Sequence, residues 1–314
     1  MRAQEGRTAS PPMARPKPIS ERSATGEVER VYHEIKETLR VTGVPLSFRA
    51  LAGYENILPL FWDQLHSNLQ TRDFETSADR IRVRAAQASA LLVPSRGQAR
   101  VMLGESQRFQ IQRALSLYHY VNPKILLLMS ALKISLHGEN IGRADAHLGS
   151  VPLIARGIPR KMYPLELASD PPEDQRVQDV YEDIKRTLSL PAVFSEYRTL
   201  ALWPEYLTSA WERLKPLLRL SAYREASEEI RQLSVHLARE LPFPVKVSLR
   251  SIEAAGQEPE QVLRVVERFE TLLPSLILNN CFMLFDWFNE QDLKESPHPA
   301  PDRHYTPLRE AQAV

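Results

Sequence analysis

Three side chains stand out as groups that could do chemistry together: the carboxylate of Glu196, the amide of Asn122 and the hydroxyl of Ser195. A carboxylate at one helix end and an amide at another, facing across a crevice beside free backbone N–H groups, would hold a small anion. Each is singled out by comparison with a second copy of its surroundings. Glu196 aligns with Ser47, Ser195 with Leu46, and Asn122 with Leu273. A bland reading competes with each. Ser195 followed by Glu196 suits a helix N-cap with an acid in the first turn. Asn122-Pro123 suits an N-cap followed by a proline at the first helical position.

The alignment comes from an internal duplication. Val31-Tyr-His-Glu-Ile-Lys-Glu-Thr-Leu39 lies over Val180-Tyr-Glu-Asp-Ile-Lys-Arg-Thr-Leu188 at an offset of 149. From Val31 to Leu65, 13 of 35 positions are identical without a gap, including Arg49/Arg198 and Trp62/Trp211. Pro123 meets Pro274 at an offset of 151. Two copies do not make a solenoid, whose period runs at about 20–50 residues and needs at least three repeats. They imply a pseudo-symmetric pair with a crevice between the halves, a preferred place for a ligand.

The elements that position these residues read as helices. Apolar residues at 31, 32, 35 and 39 follow a helical period, and 177–190 repeats the pattern. Further helix-like stretches are 54–70, 78–92, 98–120, 123–137, 204–220, 223–240, 259–272 and 274–289. No convincing run alternates with period two. The expected fold is all-α: two pseudo-symmetric helical repeats packed into one compact unit. Proline clusters set the expected boundaries. Residues 1–26 and 296–314 are expected to be disordered tails, 27–137 and 173–295 the repeats, and 138–172 a Pro-rich linker.

Composition narrows the function. The 314 residues are 43% hydrophobic and 25% charged, close to the soluble average. Forty basic residues balance 39 acidic ones, which argues against nucleic-acid or anionic-membrane partners. The longest apolar stretches, 125–132 and 272–285, fall short of the roughly 18 residues that span a bilayer. The N-terminus lacks an apolar signal region, so a cytoplasmic location is expected. The lone Cys281 sits in an apolar run and reads as a buried, inert thiol. No Cys/His spacing suits a metal.

Three segments carry a resemblance: Tyr120-Val-Asn-Pro-Lys-Ile-Leu-Leu-Leu128, Arg156-Gly-Ile-Pro-Arg-Lys-Met-Tyr-Pro-Leu165 and Ser195-Glu-Tyr-Arg-Thr-Leu-Ala-Leu-Trp-Pro204. In this order within a duplicated helical chain, over roughly 27–290, they resemble the group I α-haloacid dehalogenases, which act on both D- and L-2-haloacids. The resemblance implies a homodimeric hydrolase with no metal or cofactor and a small carboxylic acid as substrate. An aspartate activates water, which displaces the halide with inversion and without an ester intermediate. Asn122 matches the water-orienting asparagine, and Ser195 a contact to the substrate carboxylate. Glu196 stands where the family has its aspartate, and the extra methylene moves the carboxylate by about 1.5 Å. Displacements of ~1 Å can cost on the order of a hundredfold in rate. Thr42-Gly43 replaces an expected bulky aromatic, and Phe194 an expected small residue. These departures suggest a reshaped pocket. Tyr120 is a further candidate for substrate contact, with plain packing as its alternative. Asn279 and Asn280 read equally as pocket lining or as satisfied core amides. Trp62 and Trp211 read as core, and Arg49 and Arg198 as structural ion pairs. Two other functions stay open: a different reaction on a larger biosynthetic intermediate, and non-catalytic binding of a small acid.

Overall fold

The computed structural model describes residues 16–93, 101–143, 149, 151–190 and 192–303. Its helices are α1 (Gly26–Leu39), α2 (Leu46–Ala52), α3 (Ile57–Leu69), α4 (Arg72–Leu92), α5 (Glu105–Leu136), α6 (Gln175–Leu188), α7 (Ser195–Leu200), α8 (Pro204–Leu214), α9 (Ser221–Arg239), α10 (Leu249–Ala254), α11 (Pro259–Leu284) and α12 (Glu290–Lys294). Among the described residues only isolated bridges have strand character. The fold is all-α.

Local chemistry recurs at the sequence offset. In α1 the apolar positions 31, 32, 35 and 39 are buried, as the spacing predicts. Arg40, after α1, and Ser189, after α6, both take the left-handed conformation, with φ of 61° and 53°. The next amides, Val41 and Leu190, then turn back to the carbonyls of Lys36 and Lys185 at 3.0 and 2.8 Å. This closes each helix with a backbone C-cap. Trp62 Nε1 donates to Glu34 at 2.6 Å, and Trp211 Nε1 to Asp183 at 2.8 Å. Both indoles are buried, as expected of core residues whose one polar atom needs a partner.

The long helices α5 and α11 pack against each other more extensively than any other pair. They also correct the sequence reading. Pro123 and Pro274 lie inside continuous helices and do not start new ones. Each proline removes one rung of the helical ladder. The segments around them, Leu117 to Leu132 and, apart from Ser275, Leu273 to Leu284, are buried, so tertiary packing overrides the local stop signal.

Both tails are corrected in part. Residues 16–25 lie along α2: Ile19 N–H donates to Arg49 O at 3.0 Å, and Tyr32 Oη to Ile19 O at 2.9 Å. A Cβ on Gly53 would stand 2.7 Å from Lys17 O, so only glycine admits this approach. Residues 296–303 pack as well. His298 stacks edge-on to Tyr120 at 5.4 Å, and Arg303 N–H donates to Leu153 O at 2.9 Å. Backbone partners and buried rings hold these Pro-rich stretches without helical periodicity. Residues 1–15 and 304–314 lie outside the described residues.

Candidate active site

Four helices and two loops enclose a cavity of about 440 Å³. On one side α5 presents Tyr118, Val121, Asn122 and Ile125, at the 3–4 residue spacing of a single helix face. Beside it α7 brings Ser195 and Glu196, with Phe194 just before them. Opposite, α11 contributes Phe269, Leu273 and Leu276, and α2 contributes Leu46, Ser47 and Arg49. The loop 41–45, including Thr42, and Pro164, Leu165 and Leu167 complete the wall, with Glu21 and Arg22 at its edge.

Asn122 Nδ2 donates to Glu196 Oε1 at 2.8 Å. Both side chains are buried, at 6% exposure each. Burial pushes the Glu196 carboxyl above its ordinary value, while its own backbone N–H and the Asn122 amide pull the other way. An amide that gives an N–H to the carboxylate keeps its carbonyl oxygen to accept from a water molecule. Tyr118 Oη shares a hydrogen bond with Thr199 Oγ1 at 2.7 Å, and burial raises the phenol far above its usual range.

The sequence candidates fare unevenly. Glu196, Asn122, Ser195, Phe194 and Thr42 all line the cavity. Thr42 Oγ1 donates to Tyr163 O at 3.3 Å, while Phe194 meets Phe269 edge-on at 6.4 Å. Tyr120 does not line it. Two residues beyond Tyr118, it turns to another face of α5, where Lys124 Nζ sits 3.8 Å over its ring and Arg40 donates to its hydroxyl at 3.4 Å. The helix-end geometry is also corrected. Asn122 lies in mid-helix, and the N-cap of α7 is Phe194, so Ser195 and Glu196 are its first two residues.

Asn279 and Asn280 are core amides. Asn279 donates to Tyr197 Oη at 2.9 Å and accepts from Tyr223 Oη at 2.7 Å, while Asn280 donates to Leu115 O at 3.0 Å. Arg198 donates to Ala168 O and, among the described residues, forms no ion pair. Cys281 is buried, with its thiol pushed up to about 12. Tyr118 and Arg49 were missed as site residues. The offset of 151 that pairs Asn122 with Leu273 also pairs Tyr118 with Phe269, which would have put Tyr118 on the same wall.

Residues 42–197 match the family model described as halocarboxylic acid dehydrogenase DehI. A configuration-inverting 2-haloacid dehalogenase of Alcaligenes xylosoxydans xylosoxydans is 31% identical over 233 residues, 71% of this chain and 77% of that protein. This chain belongs to that dehalogenase family. The (R)-2-haloacid dehalogenase of Pseudomonas putida is 27% identical over 283 residues, 84% of this chain and 90% of its own. The complex structure of a D-2-haloacid dehalogenase mutant with D-2-CPA superposes with a TM-score of 0.81. It shares 26% identity, covering 88% of this chain and 97% of that one. The protein is therefore a dehalogenase-type hydrolase, and non-catalytic binding and a repurposed reaction are not favoured. Among the described residues no helix is long and apolar enough to cross a membrane.

Proposed function

We propose that this enzyme hydrolyses the carbon–halogen bond of small 2-haloacids of both configurations, in the manner of the group I dehalogenases. Glu196 is the general base and Asn122 orients the water. The water oxygen attacks C2 as the carbon–halogen bond breaks. Halide leaves with the bonding pair, the configuration at C2 inverts, and the water proton passes to the Glu196 carboxylate. No ester forms on the enzyme, and no cofactor takes part. Ser195 contacts the substrate carboxylate, with Thr42 and Phe194 shaping the pocket.

The observation that carries this reading is the buried 2.8 Å contact between Asn122 and Glu196 in a cavity wall. Water is a poor nucleophile, and a carboxylate within hydrogen-bond reach is the group it requires. The apolar surroundings suit a leaving halide and keep bulk water away. Because aligned positions of both copies line the cavity, we place a pseudo-twofold relation between repeats 27–137 and 173–295, joined by 138–172. In this reading the enzyme acts as a cytoplasmic homodimer. The neutral composition and single buried thiol fit that compartment, and the family resemblance suggests the dimer.

The test is halide release from D- and L-2-chloropropionate. Release from both isomers is expected, with the hydroxy acid inverted in each case. A single turnover in ¹⁸O-water should label the product and leave the protein unlabelled. Label found on Glu196 would replace direct water attack by an ester mechanism. No release from either isomer would reject haloacid hydrolysis.

A further inference from the structure

The duplication supplies an internal standard for an arginine. Arg49 on α2 and Arg198 on α7 occupy aligned positions. Arg198 is satisfied: its Nε and Nη2 both donate to Ala168 O, at 3.0 and 2.8 Å. Among the described residues Arg49 meets no such carbonyl, its buried Nε has no hydrogen-bond partner, and its guanidinium makes no ion pair. It lines the same cavity as Glu196 and Asn122. A buried guanidinium donor left unpaired is costly, and its planar fork matches a carboxylate with two parallel hydrogen bonds. The other cavity charges do not supply that partner. Glu21 is engaged with the Val44 amide and Lys36, at 2.8 and 3.2 Å, and Glu196 with Asn122. Arg22, the second arginine of the cavity, is exposed at its edge.

We propose that Arg49 binds the substrate carboxylate, setting the enzyme's requirement for an anionic acid. This deepens the haloacid reading above and rests on it. The carboxylate carbon of a 2-haloacid is bonded directly to C2. Anchoring it on α2 therefore limits where C2 can sit relative to Glu196.

The experiment compares Arg49→Gln, Arg49→Lys, Arg198→Gln and wild type on 2-chloropropionate and on the uncharged 2-chloropropionamide. For Arg49→Gln, KM for the acid should rise by roughly 10- to 100-fold with kcat within about threefold, as for loss of one charged hydrogen-bonded pair. KM for the amide should stay the same. Arg49→Lys keeps the charge but loses the fork, so its KM should lie between those of wild type and Arg49→Gln. Arg198→Gln should lower the melting temperature and leave KM alone. An unchanged KM for the acid in Arg49→Gln, or an equal rise for the amide, overturns the proposal.

Calorimetric titration with propionate, which carries no halogen, reads the anchor without turnover. Binding to wild type that is lost in Arg49→Gln supports the assignment, even if no haloacid releases halide. Equal binding by both, or none by wild type, overturns it. Should Arg49→Gln fail to fold, the same titration of Arg49→Lys decides: weakened binding supports the anchor, and undiminished binding overturns it.

Discussion

The two sides of the cavity are built from matching positions and have opposite chemistry. On one side Tyr118, Asn122, Ser195 and Glu196 offer a phenol, an amide, a hydroxyl and a carboxylate. On the other, the aligned residues are Phe269, Leu273, Leu46 and Ser47, an apolar face but for Ser47, with the Arg49 guanidinium beside it. α5 packs on α7, and α11 on α2, so each wall joins a helix from before residue 137 to one from after residue 173. The dry wall contributes too. Burial keeps the Glu196 carboxyl raised, and the apolar atoms of this wall face it across the cavity.

The largest effect should come from removing the carboxylate of the polar wall. Glu196→Gln should lower kcat by about 10²- to 10⁴-fold, the span of a general base, while the folded state persists. Pre-steady-state halide release measures it, and near-normal turnover would remove Glu196 from the chemistry. Making the polar wall resemble its partner comes next. Asn122→Leu should reduce kcat by roughly a hundredfold through a misplaced water. It also deletes a hydrogen bond that pulls the Glu196 carboxyl down, so the acid limb of kcat/KM should move to higher pH.

The sign of that limb follows from burial. In the proposed mechanism the base works ionised, and the Glu196 carboxyl is raised, so kcat/KM should fall on acidification with a midpoint above that of an ordinary glutamate. Making the dry wall polar with Leu273→Asn should shift the midpoint the other way, to lower pH. A midpoint indifferent to both substitutions would show that the walls do not set the carboxyl. The smallest effects concern the matched tryptophans. Trp62→Phe and Trp211→Phe each delete one hydrogen bond, to Glu34 and Asp183, and should cost about 1 kcal/mol of stability apiece by chemical denaturation, with kcat unchanged.

The helices were legible because their apolar residues recur with a helical period, as at 31, 32, 35 and 39. The duplication also pointed to Glu196 and Asn122, since polarity that differs between copies is visible in one sequence. Other features depend on contacts remote along the chain. Pro123 and Pro274 look like helix starts locally, yet buried packing on both flanks carries α5 and α11 through them. Tyr120 and Tyr118 are equally plausible aromatics until the helix face is known. Arg49 and Arg198 are indistinguishable in sequence, and only the placement of the Ala168 carbonyl separates them.

The extended stretch laid along α2 bears on where this chain can be cut. A version trimmed to residues 27–290 would retain nearly every helix. It would also lose Glu21, the acceptor of the Val44 amide beside the cavity, and Ile19, whose carbonyl accepts from the Tyr32 hydroxyl. At the other end, His119 would lose the Leu293 carbonyl and Tyr120 its His298 neighbour. Such a shortened protein would look whole on a helix diagram and yet have an open, loosened pocket. The N-terminal flank is therefore part of the cavity wall, through Glu21 and Arg22, whereas the C-terminal flank braces the face of α5 that carries His119 and Tyr120.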